Sequence, residues 1–107
     1  MEIENFEIEI KPQFQESLYI IIEYIRQSSY QNAERFKKEI IDLLFKIGER
    51  PYFYPIQHKI STQKEYRYAQ FKKSYHVFFR IEDEKVFVLD IFHVKRNLLF
   101  IKNLDKI

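Results

Sequence analysis

Two adjacent runs in the last third of the chain constrain its fold more than anything else. In residues 75–81, Tyr75, Val77, Phe79 and Ile81 alternate with His76, Phe78 and Arg80. That is the period of a strand with two unlike faces. A polar break, Glu82-Asp83-Glu84-Lys85, follows, and residues 86–92 are then apolar except for Asp90 and rich in β-branched and aromatic side chains. A short run of that kind reads as a central strand covered on both faces. The two runs make a hairpin, and the rest of the chain has to cover it.

The preceding residues supply that cover. Ile3, Phe6, Ile8 and Ile10 alternate with Glu7 and Glu9, which predicts an opening strand over residues 3–10. Pro12 suits the first turn of a helix. Phe14, Leu18, Ile21, Ile22 and Ile25 fall on one helical face, as do Ala33, Phe36, Ile40, Leu43, Leu44 and Ile47 after a break at residues 28–32. Glu34/Lys38 and Asp42/Lys46 have the spacing of intrahelical ion pairs. Gly48, the only glycine, stands where a left-handed helix-ending residue is wanted, and Arg50-Pro51 completes the stop. Two helices joined by a few residues predict an antiparallel pair. Residues 52–64 read as a packed loop with a short strand near residues 58–61. Strands follow over residues 66–71, 75–81 and 85–92, the first two joined by Lys72-Lys73-Ser74. Leu98, Phe100, Ile101 and Leu104 predict a final helical turn docked on the sheet.

The expected fold class is therefore α+β in a single domain, residues 1–107. An N-terminal strand and a helical hairpin pack on one face of a mostly antiparallel sheet of about four strands, with the other face open. A chain of 107 residues, 46% of them hydrophobic, has ample material for one core. The absence of cysteine excludes disulfides and thiolate metal sites. No apolar stretch approaches the roughly 20 residues that cross a bilayer, and the acidic, alternating start is unlike a signal peptide. A soluble, cytoplasmic protein without a membrane partner is expected.

Charge is unevenly spread. Residues 1–50 carry 7 Lys/Arg against 10 Asp/Glu, whereas residues 51–107 carry 11 against 6. The basic half gathers Arg67, Lys72, Lys73, Arg80, Lys95 and Arg96 around the strands. Such a grouping is either a footprint for an anionic partner or a solvated surface.

The order strand, helix, helix and three antiparallel strands resembles the RelE/ParE family of bacterial type II toxins. The residues that carry the resemblance are Arg67, the aromatic-rich strand from Tyr75 to Arg80-Ile81, and the central strand ending in His93-Val-Lys-Arg96-Asn97. Gly48 to Pro51 also looks like the end of the family's second helix, and the likeness covers nearly the whole chain. The resemblance implies a small growth inhibitor silenced by a cognate antitoxin protein, whose helix would dock in a groove lined from among Tyr19, Tyr24, Tyr52 and Tyr54. It leaves two modes open: binding DNA gyrase without chemistry, as in the ParE-like branch, or cleaving messenger RNA on the ribosome, as in the RelE-like branch. An inactive orphan toxin, or an unrelated basic domain that binds nucleic acid, is the remaining alternative.

Metal-independent RNA cleavage needs a base for the 2′-hydroxyl, cations around the phosphorane and an acid for the leaving oxygen. Arg67, Arg80 and Arg96 suit the middle task, since a guanidinium binds two phosphate oxygens and keeps its charge. Lys72, Lys73 and Lys95 would add contacts to a phosphate or target. His93 is the acid/base candidate, because histidine titrates near neutrality. Simple alternation puts it on the face of Phe87, Leu89 and Ile91, where a structural role competes. The three histidines have no metal-ligand spacing, so no metal or cofactor is expected. RNA-cleaving relatives often carry tyrosine or histidine shortly after His-x-x-Arg, where this chain has Leu98, Leu99 and Phe100. A proline often follows Arg-Asn there as well, and this chain has Leu98. Glu65 and Tyr66 are weak substitutes. The balance favours a binding toxin of ParE type.

Overall fold

The computed structural model describes residues 5–95 and 99–107. Strand β1 (Glu7–Ile10) leads into helices α1 (Pro12–Ser28) and α2 (Tyr30–Glu49). A 3-10 turn (Pro51–Phe53) and an irregular loop precede strands β2 (Arg67–Phe71), β3 (Tyr75–Glu82) and β4 (Lys85–His93). A short helix α3 (Leu99–Lys102) and a 3-10 turn (Asn103–Lys106) follow. The sheet order is β1-β4-β3-β2, with β1 parallel to β4 and the other pairs antiparallel. This is the expected α+β arrangement, with β4 central.

The first helix begins at Pro12, whose missing amide costs nothing in a first turn. Only Ser29 separates the helices. Its backbone is extended, its amide bonds to the Ile25 carbonyl, and its hydroxyl accepts from the Asn32 amide at 3.1 Å. One residue thus ends α1 and caps α2. Glu34 pairs with Arg26 and Lys37, an i, i+3 neighbour, in place of the expected Lys38.

Gly48 corrects the sequence reading. It lies inside α2, is buried, and has no left-handed backbone. Its use is close approach: an added Cβ would stand 2.8 Å from Ile8 Cδ1 and 3.5 Å from the Phe6 carbonyl oxygen. The Phe6 amide donates to the Gly48 carbonyl at 2.8 Å. The start of the sheet is thereby tied to the end of α2.

The predicted opening strand is shorter than expected, and Ile3 lies outside the described residues. No strand forms at residues 58–61. Instead Ile56 makes an isolated bridge to Arg67, and the buried Gln57 side chain clasps both backbone groups of Ile60, at 2.8 and 3.1 Å.

The helical hairpin covers one sheet face. Phe14, Phe36, Ile40 and Ile47 meet Ala69, Val77, Phe79, Val86, Val88 and Ile91 there. The expectation of an open second face fails. Tyr66, Phe78, Leu89 and Phe92 pack under Ile101 and Leu104 of the C-terminal turns. The Tyr66 hydroxyl donates to Asp105 Oδ1 at 2.6 Å, and the Gln63 amide donates to Asp105 Oδ2 at 2.9 Å. An apolar second face on a central strand demands such a cover. It comes from the segment expected to dock, which closes the surface expected to stay free.

Both hairpin turns use left-handed residues without glycine: Lys72 and Lys73 in one, Asp83 and Glu84 in the other. Two consecutive residues with positive φ between Glu82 and Lys85 match the type I′ pattern, whose twist suits a tight hairpin.

Candidate functional site

Directly paired residues share a sheet face, and successive residues alternate. Arg67 is paired with Phe79, which belongs to the helix-covered face. Arg80 follows Phe79 in β3 and therefore points to the second face. The expected joint surface of Arg67 and Arg80 does not exist.

Each arginine has structural partners. Arg67 Nη1 donates to the carbonyls of Tyr54 at 2.6 Å and Tyr52 at 3.4 Å. Its guanidinium lies 5.2 Å from the Tyr52 ring and 3.6 Å from Glu65. It clamps the loop after α2 onto the sheet. Arg80 is buried, with Nε bonded to Glu82 at 3.2 Å, Nη1 3.4 Å from the Ile107 carbonyl, and its guanidinium 4.8 Å over the Phe87 ring. Lys11 and Lys85 flank the same ring at 5.1 and 5.5 Å. Glu9 bonds both lysines at 3.1 Å. Those contacts, Lys11 first, hold the Glu9 carboxyl below its usual range, and Glu9 raises Lys85. This cationic ring around Phe87 is largely neutralised. Arg96 lies outside the described residues.

The proton-transfer substitutes are engaged as well. Tyr66 is fully buried, and burial, reinforced by Asp105, pushes its hydroxyl far above the ordinary tyrosine range. Glu65 is taken by Arg67.

His93 also stands elsewhere than simple alternation predicts. Phe78 pairs with Asp90 but Phe79 with Val88, so a bulge at Leu89 shifts the parity of β4. His93 shares the face of Ile91 and Tyr75, opposite Phe87 and Leu89. Its Nδ1 accepts from the Lys95 amide at 3.1 Å, and its ring meets Tyr75 edge-on at 5.5 Å. Neither Arg67 nor Arg80 is among these contacts.

The lysines do come together. Lys72 and Lys73 occupy the β2–β3 turn, and Lys95 occupies the turn after β4. The Val94 amide donates to the Ser74 carbonyl at 2.8 Å and joins the two turns. Lys72 shares its charge with Glu39 at 2.6 Å, and both Lys73 and Lys95 are exposed. The described candidate residues thus divide between two ends of the sheet: Arg67 and Arg80 at one, Lys72, Lys73, Lys95 and His93 at the other.

Sequence reasoning missed a cluster on the second face. Tyr68 and His76 rings lie 4.6 Å apart, and Phe78 stacks on Phe92 at 4.7 Å. Burial, then the charge of Lys59, lowers the His76 pKa. The matching parity of Tyr68, His76 and Phe78 was the available signal. The adjoining pocket, about 50 Å³, is too small for a nucleobase.

Of the four tyrosines expected around an antitoxin groove, Tyr19, Tyr24 and Tyr52 are exposed, while Tyr54 packs edge-on against Phe79 at 5.8 Å. Among the described residues, no group of three or more His, Cys, Asp or Glu could hold a metal ion. Nor is any described helix long and apolar enough to cross a membrane.

Comparison with curated proteins finds no match. A family model described as "ParE toxin of type II toxin-antitoxin system, parDE" matches residues 8–98, most of the chain.

Proposed function

This chain belongs to the ParE toxin family of type II toxin–antitoxin systems, and we propose that it stops growth by binding DNA gyrase, without cutting RNA. The contact is made by the cationic end of the sheet, where Lys72, Lys73 and Lys95 stand on two joined turns. A small cluster of exposed ammonium groups suits an acidic protein surface or a DNA backbone.

The observation that carries this reading is the separation of Arg67 from Arg80. Phosphorane stabilisation requires cations converging on one phosphate within hydrogen-bond reach. Here one guanidinium is spent on loop carbonyls and the other on Glu82 and Phe87, on opposite faces. The family membership supports a cognate antitoxin as the silencing partner.

Expressing the chain alone in bacteria tests the reading. Growth arrest with filamentation and double-strand DNA breaks, and intact messages, is the expected result. Arrest with cleaved messages and unbroken DNA would assign the RelE-like activity instead. Normal growth at good soluble expression would remove both.

A further inference from the structure

Strand β1 lies at one edge of the sheet, and among the described residues no strand flanks its outer side. The Lys11 amide donates to the Val88 carbonyl at 2.9 Å, so the backbone of Lys11 faces β4. Alternation turns Glu7 and Glu9 the same way and sends Phe6, Ile8 and Ile10 outward. Phe6 agrees in phase, since its amide leaves the sheet for the Gly48 carbonyl. That bond occupies the outer edge at one end, and Pro12, without an amide hydrogen, closes it at the other. Between them stand the amides and carbonyls of Ile8 and Ile10, and neither a bulge nor a proline interrupts the run.

An edge of this kind accepts an extended segment, and β1 itself fits it. In an antiparallel pair, outward residues meet by exchanging both backbone bonds. With the two-fold axis at Glu9, Ile8 meets Ile10 of a second copy, Ile10 meets its Ile8, and all four outward residues are satisfied. An axis at Ile8 would call on the Phe6 amide, which Gly48 already holds. An axis at Ile10 would set Ile8 against Pro12, which cannot donate.

Charge favours the same register. It places Glu7 opposite Lys11 of the second copy, on both sides of the axis. Glu7 is 75% exposed, and its contact with Lys85 is long, 3.8 Å. The two Glu9 side chains face each other, but each is held at 3.1 Å by Lys11 and by Lys85. Glu7, Glu9, Lys11 and Lys85 of both copies sum to zero charge. Nucleic acid fits this edge poorly, because carboxylates border it. We infer that two copies of this chain join through β1 as an antiparallel pair, so that two four-stranded sheets become one. Both helical hairpins then lie on one side, and the lysine-bearing ends stay free. A pair this short buries less than the roughly 1,000 Å² of a stable interface. The dimer is therefore weak and forms as concentration rises.

Sedimentation velocity of the purified full chain, from about 1 to 200 μM, reads the mass, and amide hydrogen exchange over the same range reads the edge. The mass should rise from one chain toward two, and exchange at the Ile8 and Ile10 amides should slow about fivefold or more. Lys11→Glu sets a carboxylate against Glu7 and should weaken association about tenfold. Combining it with Glu7→Lys restores opposite charges and should recover most of that loss. A one-chain mass at every concentration overturns the proposal. So does a dimer with unchanged Ile8 and Ile10 exchange, which assigns another surface. Slow exchange at both amides at every concentration overturns it in favour of a cover from within the chain. Protection that appears only on adding the protein encoded by the neighbouring reading frame overturns it in favour of a foreign strand. A double variant no better than Lys11→Glu overturns the register. Should Lys11→Glu not fold, mass and exchange on the unaltered chain still decide.

Discussion

Arg67 and Phe79 are direct partners across β2 and β3, and that single pairing places Arg67 on the helix-covered face, away from Arg80. The guanidinium then reaches the carbonyls of Tyr52 and Tyr54. Arg67 therefore acts as a clamp between the loop after α2 and the sheet. Hydrogen bonds from a charged donor contribute about 1.5–3 kcal/mol each. Arg67→Ala should lower unfolding free energy by about 2 kcal/mol in urea titration. A loss near zero would show that the clamp carries no weight.

Tyr66 and Asp105 fasten the C-terminal turns to the second face. The Tyr66 hydrogen bond, reinforced by the Gln63 amide, holds the Asp105 carboxyl below its ordinary range. An acid lowered in the folded state stabilises above its unfolded pKa, about 3.9, and loses that contribution as pH falls through the folded value. Tyr66→Phe should cost about 1–2 kcal/mol at neutral pH and flatten the acid limb below about pH 4. Parallel acid limbs for the two proteins would contradict the assignment.

His76 is lowered by burial and by Lys59. Below about pH 6.5 the unfolded chain takes up a proton that the folded chain resists. Stability should therefore fall as pH drops through the range just below 6.5, and His76→Gln should remove that slope. Thermal melts at pH 5.5 and 7.5 check this. An unchanged difference between the two pH values in the variant would rule His76 out.

Much of this architecture was readable from residue order. The alternation in residues 75–81, the apolar run after it and the two helical stripes gave β3, β4, α1 and α2, because each pattern reports a buried face directly. Gly48 misled because its reason is tertiary: the approach of Phe6 and Ile8 leaves no trace in neighbouring residue types. The bulge at Leu89 was hidden for a related reason. A strand buried on both faces has no polar alternation to reveal a parity change, so His93 was assigned to the wrong face. The arginines were grouped by sequence neighbourhood, while pairing register separates them. The lysines of two distant turns were joined by a bond, Val94 to Ser74, that spacing alone does not show.

The proposed binding of gyrase through the lysine-bearing end is tested most directly by inhibition of DNA supercoiling by purified gyrase, titrated with purified chain. The unaltered chain should inhibit and trap cleaved DNA, and Lys73→Glu with Lys95→Glu should weaken inhibition about tenfold or more while the fold is kept, since each reversed charge turns attraction into repulsion. Full supercoiling activity at saturating concentrations of folded chain would contradict the account.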